Sequence, residues 1–173
     1  MANRAYLYSS DRSDAWERPY EDYYDSRWTI PLAWFFFYQP ENIRLVDVDS
    51  GGSHWKEVKF SAGKHDAVAL FAIRERLLMS LVEGTISRDI IARFVATVEK
   101  RSGYFLLMDP EEVLGGMAGD DLGHAERFAQ ILTCLGSGEG SSEAIREAAR
   151  PYVGAFDPNL DRCLYQVIGY TYS

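Results

Sequence analysis

From Asp66 to Val82, the residues Leu70, Ile73, Leu77 and Leu81 recur at three- and four-residue spacing, the period of one helix face. Val68, Phe71, Leu78 and Met79 widen that stripe. The spacing predicts a central core helix with Leu70, Ile73, Leu77 and Leu81 inside and Gly84 as its stop. The same period continues from Ser87 to Lys100, where Ile90, Ile91, Phe94, Val95 and Val98 face inward. Tyr104 to Met108 is a short apolar run bounded by Gly103 and Asp109-Pro110, and it reads as a strand. Asp109-Pro110-Glu111-Glu112 then opens a brief helix: the aspartate caps, the proline takes the first position, and the glutamates meet the positive end. Asp120 or Asp121 caps a further helix to Leu135, with Leu122, Ala125, Phe128, Ala129, Leu132 and Leu135 on its inner side. Ser141 or Ser142 caps another, which ends near Arg150, before Pro151.

The first third of the chain is less regular. Arg4 to Tyr8 reads as a strand, and Ser9 to Asp25 as a long structured loop of acids and rings. Trp28 to Tyr38 reads as a helix with Thr29 as cap, Pro31 in the first turn and Gln39-Pro40 as the stop, a strand being the competing reading. Asn42 to Asp49 is extended, Ser50-Gly51-Gly52-Ser53 a turn, Trp55 to Phe60 a weak edge strand, and Ser61 to Lys64 another turn. Arg162 to Tyr172 closes the chain as a strand. Strand and helix are mixed without a repeated strand–helix–strand unit. The expected fold is therefore α+β: a single domain over residues 1–173 with several packed helices and a small, mostly antiparallel sheet that includes the N- and C-terminal strands.

Composition narrows the function classes. A hydrophobic share of 47% and a charged share of 25% are globular values. The formal net charge of −8 repels phosphate backbones, which argues against nucleic acid and suits a basic protein partner. No apolar run approaches the ~20 residues of a membrane span, so no membrane role is expected. Cys134 and Cys163 give no disulfide framework, and Met1 to Tyr6 carries no apolar leader core, so the cytoplasm is the expected location.

Candidate chemistry is sparse. His124 follows Asp120 and Asp121 at helical spacing, so one carboxylate can orient it, as in general bases and metal ligands. His54, His65 and His124 match no local ligand motif, and no metal or cofactor is expected. Cys134 lies about 15 Å along one helix from His124, too far for direct proton transfer. The glycine-rich stretch from Gly136 to Ser142 lacks a lysine, follows a helix and reads as a linker. No catalytic residue is assigned.

Half of the chain's 24 aromatic residues fall within the first 38 positions, interleaved there with acids. Tyrosine and tryptophan supply contact area at low entropy cost. The expected partner-binding residues are Trp16, Tyr20, Glu21, Asp22, Tyr23, Tyr24 and Asp25; the alternative is that the rings fill and edge the core. The opening Met1-Ala2-Asn3-Arg4-Ala5-Tyr6-Leu7-Tyr8 and the later Ile30-Pro31-Leu32 resemble a family of uncharacterised bacterial proteins that begin Met-Ala-Asn-Arg-x-Tyr-Leu-Tyr. That resemblance implies a bacterial, stand-alone cytoplasmic domain and no particular activity. The functional expectation is a non-catalytic binding protein with an acidic-aromatic surface, immunity-like against a basic partner such as a toxin. The alternatives are a homo-oligomeric structural protein, or a small hydrolase assembled from distant residues such as Asp121, His124 and Cys163.

Overall fold

The computed structural model describes residues 3–16, 23–82, 86–137, 142–154 and 166–172. These form an α+β domain around one antiparallel sheet. The strands are β1 (Arg4–Ser10), β2 (Tyr23–Arg27), β3 (Ile43–Ser50), β4 (Ser53–Gly63), β5 (Phe105–Asp109) and β6 (Tyr170–Tyr172). Their order is β3-β4-β5-β1-β2-β6, and every neighbouring pair is antiparallel. The helices are α1 (Leu32–Phe35), α2 (Lys64–Val82), α3 (Arg88–Lys100), α4 (Glu111–Leu114), α5 (Asp121–Ser137) and α6 (Ser142–Val153).

Alternation along the strands separates two faces. Ala5 and Leu7, Val58 and Phe60, and Leu106 and Met108 face the helices in the main core. Tyr6, Tyr8 and Leu107 face the other way and form a smaller cluster with Ala15, Trp16, Tyr23 and Phe105 against it. The aromatic run after Pro31 is the heart of the main core: Trp34 to Tyr38 are all 0% exposed. Phe37 meets Phe71 of α2 at 4.6 Å, and Phe35 meets Phe128 of α5 at 5.6 Å. Trp34 Nε1 donates to Ile168 O at 3.0 Å and ties the described C-terminal segment to α1.

Glycine is a conformational requirement at two places in the fold. Gly51 and Gly52 take φ of +60° and +84° between β3 and β4, the paired left-handed turn that suits a two-residue hairpin loop. Gly103 has φ +97° and lies so close to Ser10 that a Cβ would stand 2.7 Å from its backbone nitrogen.

Several expectations change. α2 is present, but rotated: Ala67, Phe71, Arg74, Leu78, Leu81 and Val82 are buried, while Ile73 is 80% exposed and Leu70 and Leu77 are half-buried. The helix is apolar on two sides, and both stripes fit its period. The loop expected over Ser9 to Asp25 ends in β2, a strand whose burial includes the polar Asp25 and Ser26. β4 runs on to Gly63 and lies between β3 and β5, so it is an interior strand and not an edge. The helix over Trp28 to Tyr38 shrinks to the single turn of α1, begun by Pro31; Thr29 hydrogen-bonds with Ser26 (3.2 Å) instead of capping it. Leu122 is 57% exposed, and α6 continues through Pro151 to Val153. The terminal strands share the sheet with β2 between them; of the strand expected over Arg162 to Tyr172, only β6 is extended, residues 166–168 are helical, and residues 162–165 lie outside the described residues.

Candidate functional site

Ionisable groups gather where β4, β5, α4 and the start of α5 meet. Trp55, Glu57 and Lys59 alternate along β4 and therefore share one face. Trp55 Nε1 donates to Glu57 Oε1 at 3.1 Å, and Lys59 Nζ lies 2.8 Å from Glu57 Oε2 and 2.7 Å from Asp109 Oδ1. Asp109 Oδ1 also accepts from the Glu111 backbone N–H at 3.0 Å, so one carboxylate both neutralises Lys59 and opens α4. Lys59 is 3% exposed and Asp109 4%. Such an ion pair is retained because two carboxylates hold the lysine, and removal of one partner strands a buried charge.

Glu111 stands beside this triplet. Burial pushes its carboxyl up to about 7, and the charges of Asp121, Glu57 and Asp109 add to the rise while Lys59 opposes it. Glu111 Oε2 has no hydrogen-bond partner among the described residues. Burial also raises Asp121, with nearby His124 pulling the other way.

His124 is 2% exposed on the inner side of α5. Its Nδ1 lies 3.0 Å from the Tyr152 hydroxyl of α6, and its Nε2 has no partner among the described residues. The Nε2 edge lies under Gly119, where an added Cβ would stand 3.3 Å from that nitrogen. Burial lowers the His124 pKa and the Arg127 charge lowers it further, against the attraction of Asp121 and Asp120. The expected histidine–aspartate hydrogen bond is replaced by the tyrosine contact, and Asp120 Oδ1 accepts from the Gly123 N–H at 2.8 Å as the cap of α5. The cluster can store a proton near neutrality on Glu111, but its lysine is held by acids and its histidine is covered.

The expected partner residues divide. Tyr24 is 5% exposed, with the Phe94 ring at 5.0 Å and the Arg101 guanidinium carbon 4.3 Å from its own ring centre. Asp25 is 1% exposed and paired with Arg4, and burial raises its pKa against that attraction. Both serve to hold β2 in the sheet. Tyr23 and Trp16 are half-buried in the smaller cluster, Tyr23 with the Tyr6 ring at 5.7 Å. Tyr20, Glu21 and Asp22 lie outside the described residues.

Three rings stand out, Tyr104 at 77% exposed, Trp28 at 62% and Trp55 at 37%, and of these Trp28 has the unusual backbone. It is the residue other than glycine with a left-handed backbone among the described residues, at φ +66°. Its N–H donates to Asn3 O at 2.8 Å, which fixes the bend after β2. Nothing in its sequence neighbours separates it from the buried rings that follow.

The remaining candidates stay apart. His54 is exposed beside Asp49 (2.7 Å) and Asp47 (3.5 Å) on the β3–β4 hairpin, and His65 is exposed at the start of α2. Cys134 is half-buried in α5, and Cys163 lies outside the described residues. Among the described residues no group of three or more His, Cys, Asp or Glu side chains is arranged to hold a metal, and no helix is long and apolar enough to cross a membrane. No family model, no curated protein and no solved structure matches the chain.

Proposed function

We propose that the protein acts by binding a basic protein partner, with Trp28 at the centre of the contact, and not by catalysis. The observation that carries this reading is the exposed indole on a left-handed backbone. A bulky residue in that conformation costs roughly 1–2 kcal/mol, and an exposed indole recovers little of it from packing. Buried at an interface, tryptophan is among the residues that dominate binding energy. The net charge of −8 supplies long-range attraction to a basic surface and selects against acidic competitors. The groups best suited to chemistry point away from catalysis: Lys59 is held between two carboxylates and His124 is covered. Neutralisation of a basic enzyme in a bacterial cytoplasm fits this chemistry. A second copy of the chain fits it less well, because both copies carry the same −8.

The test compares the wild type with Trp28→Gly, which removes the ring and suits the backbone. Immobilised wild type is expected to retain a basic protein from cells of the source at low salt, to release it as salt rises, and the variant is expected to lose it at unchanged stability. Equal retention by the variant overturns the reading. A wild-type dimer that Trp28→Gly dissociates would favour the homo-oligomer instead.

A further inference from the structure

The outward side of α2 carries Arg76 and Ser80 and, beside them, an apolar strip. Leu70, Ile73 and Leu77 stand there, and Ile73 is 80% exposed. With Leu135 and Gly136, at the C-terminal end of α5, they border a groove of about 360 Å³. Its volume lies at the lower end of the range for small-molecule sites, ~300–1,000 Å³.

Arg74 lies in the groove wall and is only 7% exposed. Its Nη1 donates to Tyr38 O at 2.7 Å, and no carboxylate among the described residues forms an ion pair with it. The Glu41 charge reaches Arg74 through space and offsets part of its burial without forming an ion pair, and the guanidinium retains donors in a planar fork that matches a carboxylate. The other terminal nitrogen, Nη2, faces Gly136, where an added Cβ would stand 3.4 Å away, so the glycine leaves that nitrogen uncovered. No acid lines this groove. Beyond Leu70 and Gln39 a second cavity of about 140 Å³ opens, walled in part by Phe37, Ala62 and Ala67. Asn42 and Asp66 also stand in its wall, so the second cavity is polar on one side, and the Asp66 charge excludes a second carboxylate there.

We propose that this groove binds a small organic monocarboxylate with an unbranched apolar tail, its carboxylate on Arg74 and its tail along Leu70, Ile73 and Leu77. The ligand class follows from charge complementarity at one end and the apolar wall at the other. The site is separate from Trp28 and does not depend on the partner reading.

Octanoate is the probe, with octanol and octylammonium as controls, read by methyl NMR and calorimetry on the full chain. Octanoate is expected to move the methyl signals of Leu70, Ile73, Leu77 and Leu135 in a saturable way, and each control to bind at least ~10-fold more weakly. Arg74→Gln is expected to weaken octanoate by at least ~10-fold. Because Arg74 also holds the Tyr38 carbonyl, a second pair guards against a folding defect. Ile73→Glu and Ile73→Lys alter an exposed position, and the lysine variant is expected to bind octanoate at least ~10-fold more tightly than the glutamate variant. Absence of saturable shifts up to about 10 mM octanoate, equal binding of octanol, or equal affinity of the two Ile73 variants would overturn the proposal.

Discussion

Glu111→Gln should make the protein more stable at neutral pH and leave it little changed in mild acid. The Glu111 carboxyl is pushed up to about 7 from an ordinary value of 4.5, chiefly by burial and then by Asp121 and Glu57. Between those two values the folded chain holds a proton that the unfolded chain has released. Stability therefore falls as pH rises through the window from 4.5 to about 7, and the loss is complete above it. At ~1.4 kcal/mol per tenfold change, the full difference is about 3 kcal/mol. The side chain is half-buried, so solvent screening reduces this to about 1–2 kcal/mol. A glutamine has no proton to lose, and its amide N–H groups are offered to a surrounding of carboxylates. Urea unfolding of both chains at about pH 5, 6, 7 and 8 gives the difference directly. His124 contributes the opposite trend, since its lowered pKa makes stability fall as pH drops through 6.5, but it is present in both chains and cancels. A variant advantage that is flat across the range, or that grows toward acid, would show that Glu111 titrates as an ordinary surface carboxyl.

The other expectations are simpler to state. Leu78→Ala, at a site that is 0% exposed, should cost ~2–5 kcal/mol, and Ile73→Ala, 80% exposed, less than about 0.5 kcal/mol; a larger loss at Ile73 in urea unfolding would put the wrong face of α2 inside. Lys59→Met should cost ~3–5 kcal/mol because Glu57 and Asp109 are left without their cation, and adding Asp109→Asn should recover part of the loss. If the double variant is no better than the single one in denaturant melts, the pair is not coupled as described. Trp28→Gly should stay within about 1 kcal/mol of the wild type, since relief of the left-handed backbone offsets the extra freedom of an unfolded glycine; a drop in melting temperature that implies more would mean that the indole is packed.

Periodicity reveals a helix more readily than it reveals which side of the helix is buried. α3 shows only one apolar side, and Ile91, Phe94 and Val98 are buried as their spacing requires. α2 has apolar residues nearly all round, and the choice between two stripes is made by what packs against them: the rings of Phe36 and Phe37 select Phe71. Position 74 lies on the selected side, so an arginine is buried where the pattern implies an outward charge. The same effect hid β2 and the interior position of β4. Asp25 in β2 is stabilised by Arg4 from β1, and Lys59 in β4 by Asp109 from β5. Neither partner is near in sequence.

Polar residues inside this fold are thus the ones that local pattern misassigns, and they are also the ones that make up its candidate sites. A strand or helix pattern records which side chains avoid water. It does not record which charges are compensated by another element, because the compensation is a tertiary contact. His124 shows both halves of the argument. Its helix and its neighbouring aspartates were legible, since capping and spacing are local. Its partner was not: the Tyr152 hydroxyl is 28 residues away, on α6. The cover over its second nitrogen comes from the loop at Gly119, and only the folded chain brings Glu111 near Asp121. Trp28 is the converse case. Its composition matches the buried rings after it, and a single left-handed bend turns it outward instead. Function in this protein is therefore to be sought where the fold departs from its own pattern: a charge buried at Arg74 beneath an apolar groove, and a ring exposed at Trp28 beside an aromatic core.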